Sequence, residues 1–356
     1  MGLPNINISF KSVAETALRR SQRGIVAAIL KDSAAGTAGA HIMTDESQIP
    51  ADLSAVNKDY LSKIFIGYVN KPSKVIAYVL AADAKDLSSA LTYMATQKLN
   101  YLVGPSDCTA DEATQISTWI KAQRADKRTP KAVLPKVVAD HEGIINFTTE
   151  DIKVGDTNYS TAAYCGRVAG LLAGTPLTVS CTYAVLPEVT DVKRLTDAEK
   201  DVAVDAGQFI LFHDGEKVKV GRSVNSLTTI TDTKNTSFKK IKIMEAVDMM
   251  QDDLRMLTQD NYIGKYSNVY DNKCLLITAI KDYFTQLETS GILTSGNSSV
   301  EIDVSAQEAY LKAQGINVSG MTEQKIKTAD TGSRVFLKGT VGIPDTIEDI
   351  NLDITF

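Results

Sequence analysis

The chain has 356 residues, 44% of them apolar and 23% charged, with a formal net charge of −5. That length and balance suit one large or two ordinary globular domains and exclude a wholly disordered chain. The weakly acidic charge gives no basic field for direct contact with nucleic acid. No apolar run reaches the length of a membrane-spanning helix, so no membrane insertion is expected.

Met1–Phe10 is polar and alternating, without the basic start and continuous apolar centre of a signal peptide, so assembly in a cytoplasm is expected. Within it Ile6, Ile8 and Phe10 share one side of a short period-two strand. From Lys74 the signals alternate. Lys74–Leu80 is β-rich, Asp86–Lys98 reads as a helix with an acidic first turn, and Asn100–Ser106 returns to strand. Thr109 and Glu112 form a capping-box pattern opening a helix to Lys127, and Lys131–Val138 is the next strand. Strand–helix alternation of this kind predicts a parallel α/β sheet with right-handed crossovers.

A helix over Thr161–Leu172 comes next, then a strand over Leu177–Tyr183 and a helix over Leu195–Gly207. Gly166, Gly170 and Gly174 recur every four residues and predict close packing of a helix on the sheet. Asp214-Gly215, inside the β-rich run Gln208–Val224, predicts a hairpin. Beyond Lys239 the pattern becomes α+β. Two long helices, Lys240–Asp260 and Asn272–Ser290, precede a strand at Ser299–Val304 and a short helix at Ser305–Gly315. A hairpin-like pair, Ser333–Gly342 and Asp349–Phe356, closes the chain, and Leu352, Ile354 and Phe356 again share one face.

The expected class is therefore α/β plus α+β: a parallel-sheet α/β domain, a C-terminal α+β domain, and extended β arms at both ends. The expected boundaries are an N-terminal arm at 1–22, domains at 23–207 and 208–350, and a C-terminal arm at 351–356.

Chemistry is sparse. Neither a phosphate-binding G-x-x-x-x-G-K-[ST] loop nor a dinucleotide G-x-G-x-x-G loop is present. His41, His141 and His213 stand alone, and no G-x-S-x-G elbow supports a triad. The expectation is no catalytic, cofactor or metal site, with an α/β hydrolase-like enzyme as the alternative. Cys108, Cys165, Cys181 and Cys274 lack metal-ligand spacing and are expected as buried free thiols. Glu245, Asp248, Asp252 and Asp253 read as a solvated helix face. So do Lys239, Lys240 and Lys242, with contact to an acidic protein as their second reading.

Four stretches then carry a resemblance. They are "YCGRVAGLLAGTPLTVSCTYAVLPEV" from Tyr164, "GRSVNSLTT" from Gly221, the helix opening "KKIKIMEAVDMM", and the ending "GTVGIPDTIEDINLDITF" from Gly339. In order and character they resemble the contractile phage tail sheath family, of which this chain would be a small member. The resemblance implies a structural subunit of a phage tail or phage-tail-like bacteriocin. It would stack as hexameric rings around an inner tube and contract to drive that tube through a target envelope. The implied partners are neighbouring sheath subunits, the inner tail tube protein, the baseplate and the tail terminator. Ile6, Ile8, Phe10, Leu352, Ile354 and Phe356 would then form intersubunit arms. Lys239, Lys240 and Lys242 would be candidate tube contacts.

Overall fold

A computed structural model describes residues 23–34 and 36–356. Its elements in chain order begin with strands β1 (Ile25–Asp32) and β2 (Gly39–Met43), helix α1 (Ala55–Ile66) and strand β3 (Lys74–Ala81). Next come α2 (Ser88–Ala95), β4 (Tyr101–Val103), α3 (Ala110–Ala125), β5 (Lys131–Pro135) and β6 (Ile144–Phe147). A small hairpin of β7 (Ile152–Val154) and β8 (Thr157–Tyr159) leads to α4 (Thr161–Ala173) and α5 (Asp197–Asp205). Strands β9 (Gln208–Phe209), β10 (Leu211–His213) and β11 (Val218–Val220) precede the long helices α6 (Ile241–Asn261) and α7 (Tyr270–Thr289). The remaining elements are β12 (Ser299–Ile302), α8 (Val304–Ala313), α9 (Glu323–Thr328) and β13 (Leu337–Thr340).

Seven strands form one sheet in the order β2-β3-β1-β4-β5-β6-β9. All neighbours are parallel except β2, which runs antiparallel to β3. β1 lies third from one edge, with Val26 beside Val75 on one side and Tyr101 on the other. Its sequence, IVAAILKD, is continuously apolar over six residues because both faces are covered. Val26, Ala28 and Leu30 face a core with Tyr60, Leu61 and Ile64 of α1 and Tyr164 and Val168 of α4. Ile25, Ala27 and Ile29 face another with Leu91 and Met94 of α2 and Ile116 and Ile120 of α3. The capping box that opens α3 is formed as expected, Thr109 and Glu112 bonding each other's backbone N–H.

The described chain groups into two compact units. Among the described residues, one holds 23–34, 36–252, 284–299 and 339–356, and the other holds 253–283 and 300–338. These groupings do not follow a division at residue 207, since β9 is the seventh strand of the sheet. In the second unit Leu311 of α8 packs with Val318 and Ile326. The hydroxyl of Tyr283 there donates to Asp253 at 2.9 Å.

Several expectations need correction. Leu177–Tyr183 is not a strand but a run of turns. Its hydroxyls bond locally: the Ser180 and Thr182 hydroxyls lie 2.9 Å apart and Thr182 N donates to Ser180 Oγ. Such bonds compete with a strand ladder, and Tyr183 at φ 59° turns the chain out of extended geometry. Gln208–Val224 divides: Gln208–Phe209 joins the large sheet, while Leu211–His213 pairs with Val218–Val220 around Asp214-Gly215. The closing hairpin does not form, because β13 pairs with β12 and residues 351–356 have no strand partner among the described residues. The glycine row of α4 faces α1 and the loop after it rather than the sheet. A Cβ at Gly170 would lie 2.1 Å from Ile64 O, and one at Gly174 would lie 2.0 Å from Asn70 O. Lastly, Glu245, Asp248 and Asp253 are buried, not solvated.

Candidate functional site

The buried acids of α6 show how that helix is seated. Asp248 accepts two bonds from the Arg124 guanidinium of α3, at 2.9 and 3.0 Å, and one from Lys131 of β5 at 2.7 Å. Glu245 accepts from the Tyr101 hydroxyl of β4 at 2.6 Å, pairs with Lys131 at 2.8 Å, and also pairs with Arg23. Burial pushes the Asp248 carboxyl up, but Lys131 and Arg124 override it and hold it below the usual carboxylate range. Burial moves Lys131 the other way, below an ordinary lysine.

The segment Gly221–Thr229 fastens the start of α6 to the sheet. Asn225, buried, donates from its amide to Phe238 O at 2.7 Å and accepts from Leu227 N at 3.0 Å. Ser226 N bonds Ile144 O of β6, and the Ser226 hydroxyl bonds the His141 backbone. The His141 ring is used by Gly143 N instead, so Ser226 and His141 form no side-chain dyad. Among the described residues no group of three or more His, Cys, Asp or Glu could hold a metal ion. All four cysteines are free; Cys165 and Cys181 are buried as expected, whereas Cys108 and Cys274 are only half-buried, which corrects the expectation for those two. No helix of the described residues is long and apolar enough to cross a membrane.

Beside that motif lies a cradle of cationic and hydroxyl groups from three places in the chain. Thr182 comes from the turns after α4, Arg222 follows β11, and Lys240 and Lys242 stand at the start of α6. The cradle holds residues 344–349. Lys240 pairs with Asp345 and, at 3.2 Å, with Glu348. Arg222 reaches Glu348 at 3.6 Å and Asp349 at 2.5 Å. The Thr182 hydroxyl donates to Glu348 at 2.7 Å while accepting from Ser223 N at 3.1 Å. Lys242 donates to Pro344 O. Burial alone would lower the Lys240 pKa, but Asp345 and Glu348 raise it above an ordinary lysine. Burial would likewise raise Asp345, and Lys240 brings it below the usual range.

Past this strap the chain is bare. Ile350, Leu352, Ile354 and Phe356 are each more than 70% exposed, at period two. Residues 343–356 make no backbone–backbone hydrogen bond with any described residue. An exposed apolar period-two segment is an unpaired strand edge in waiting.

A family model for the phage tail sheath protein central domain matches residues 80–226, and one for the phage tail sheath C-terminal domain matches residues 233–356. A tail sheath protein of Clostridium phage phiCD119 is 41% identical over 359 residues, covering 99% of each chain. The chain belongs to the phage tail sheath protein family. Its fold recurs in solved structures of low identity. The crystal structure of a sheath tail protein from Desulfitobacterium hafniense matches with a TM-score of 0.68 at 19% identity, covering 84% of this chain and 94% of that one. The cryo-EM structure of the anti-feeding prophage helical sheath in the contracted state matches with a TM-score of 0.73 at 14% identity, covering 100% and 99%.

In this tail sheath protein the residues singled out from sequence fall in three groups. Ile6, Ile8 and Phe10 lie outside the described residues. Leu352, Ile354 and Phe356 are exposed together beyond the strap. Of the lysine cluster, Lys242 is buried and Lys240 half-buried, both occupied by the strap, so the solvated-face reading fails for them. Lys239 makes no ion pair among the described residues and gives its carbonyl to Asn225 N. Sequence reading missed Thr182, Arg222, Asp345, Glu348 and Asp349. The available signal was the acidic stretch "DTIED" directly after Pro344, in a chain whose nearest basic cluster had no acidic counterpart assigned.

Proposed function

We propose that this tail sheath protein is the repeating subunit of a contractile tail. It stacks as hexameric rings around an inner tube and drives that tube through a target envelope when the rings contract. The full-length relationship supports the class of particle, and the free C-terminal arm supports the mode of assembly. Asn351–Phe356 adds as a strand to a neighbouring subunit's sheet, where backbone bonds give affinity and alternate side chains fill pockets. Ile6, Ile8 and Phe10 do the same from the other end of the chain.

Magnitudes favour many weak links over one strong clamp. Burying Ile350, Leu352, Ile354 and Phe356 yields roughly 6–12 kcal/mol gross. Ordering seven residues costs roughly 7–14 kcal/mol. A single arm is therefore near break-even before its hydrogen bonds, and the lattice gains strength by repetition. Inner tube, baseplate and tail terminator are the further partners, and assembly takes place in the host cytoplasm. With Lys240 and Lys242 engaged by the strap, Lys239 is the member of the cluster left for an acidic tube surface. The subunit works without a catalytic centre, and nothing in the His141 or Ser226 geometry favours the hydrolase alternative.

Electron microscopy of the purified protein should show rings or tubes. Deleting Asn351–Phe356, or replacing Ile354 and Phe356 with Asp, should leave a folded subunit that forms neither. Full-length contractile sheaths from either variant would refute the arm.

A further inference from the structure

Two features of the carboxyl end fit together only if the strap is a detachable length of arm. The first is how it is held. Residues 343–356 rely on side-chain contacts, without a backbone ladder to any described residue. The last backbone–backbone anchor before them is Gly342 O, which accepts from Thr294 N at 2.8 Å. Half-exposed ion pairs of this kind are individually weak and screened by salt. The Thr346 hydroxyl, inside the strap, is shielded from solvent with no partner among the described residues. The contacts are nonetheless specific. The Glu348 side chain is 7% exposed and receives Thr182, Arg222 and Lys240 together.

The second feature is reach. With the strap seated, the free arm is residues 350–356, which extend at most about 25 Å at ~3.6 Å per residue. Released back to Gly342, the arm is residues 343–356 and extends about 50 Å. A subunit joined to a neighbour through residues 351–356 would then gain seven residues of tether, about 25 Å at ~3.6 Å per residue, without breaking the strand joint.

We propose that Thr182, Arg222, Lys240 and Lys242 form a binding cradle for an acidic peptide, Pro344–Asp349, which unseats to lengthen the arm as neighbouring subunits change spacing. This rests on the arm linking subunits, but it is tested after assembly, so the two can fail separately. Arm failure shows as full sheaths from the Asn351–Phe356 deletion. The cradle is tested by locking it.

A carbodiimide joins Lys240 Nζ to the Asp345 carboxyl as an amide, its own uptake of water balancing the condensation. Arg222 cannot react in this way. Lys240→Arg keeps the ion pair and removes the coupling, so it reports every other cross-link. The reagent dose is set as the highest at which treated Lys240→Arg sheaths still contract like untreated ones. At that dose, wild-type extended sheaths with the Lys240–Asp345 linkage found by peptide mass spectrometry should contract at least ten-fold less often when triggered. Normal contraction despite the linkage overturns the proposal, and so does failure of the linkage to form.

Discussion

Gly170 is the residue at which backbone geometry is least negotiable. Alanine is ordinarily the better helix former by about 1 kcal/mol. Here its Cβ would lie 2.1 Å from the carbonyl oxygen of Ile64, a backbone atom that cannot swing aside. Gly170→Ala should therefore destabilise the subunit by about 1–3 kcal/mol, the usual range for overpacking. Gly166→Ala should cost less, since its Cβ would meet the Tyr60 ring at 2.9 Å and a side chain can shift. Urea denaturation of the two variants gives the ranking. A raised midpoint for Gly170→Ala would mean that α1 and α4 are not packed this closely. Arg167, between the two glycines, is buried and bonds Gly67 O at 2.8 Å and Glu188 at 2.6 Å. It closes the same helix pair from its polar side.

At the scale of elements, the seat of α6 is a buried set of opposite charges, and its chief acid predicts a pH dependence. A buried ion pair broken on one side typically loses about 3–5 kcal/mol, because the remaining charge stays buried. Asp248→Asn should lose that much, leaving Lys131 with Glu245 and Arg124 with Glu142 as their remaining pairs. Asp248 is held below the usual carboxylate range in the fold. Its contribution is thus complete above the unfolded value near pH 4 and is lost as pH falls toward the folded one. The wild type should lose stability more steeply than Asp248→Asn below about pH 4. Parallel acid limbs would show that Asp248 does not carry this dependence.

Little of that seat was legible in the sequence. Periodicity located α3, α4, α6 and α7 and the strands from β3 to β5, because each carries its own caps or apolar rhythm. The acids of α6 looked like a solvated face because their partners, Tyr101, Arg124 and Lys131, lie more than a hundred residues away. The strap was hidden for the same reason: Glu348 meets Thr182 across 166 residues of chain. β1 went unassigned because a strand buried on both faces shows no alternation, only an apolar run. The exposed run at Ile350, Leu352, Ile354 and Phe356 is the opposite case, a local period-two pattern that nothing nearby covers.

For the whole molecule, the central question is the source of work. We propose that a contracting sheath built from this subunit draws its work from interfaces that form only in the contracted lattice. The extended lattice is then metastable, held behind a barrier rather than at equilibrium. The proposed intersubunit arms fit such a barrier. Each is near break-even, so a single subunit can rearrange, yet its neighbours in the ring hold it until enough subunits move together. Conversion should therefore run one way, from long and narrow to short and wide, under mild heat or denaturant. The contracted form should unfold at the higher temperature, because more of its surface is buried between subunits. A calorimetric scan of extended sheaths should show an exothermic, irreversible event well below the unfolding endotherm, and a second scan should lack it. Endothermic and reversible interconversion would show that the lattice stores no energy, and the work would then have to come from outside the sheath.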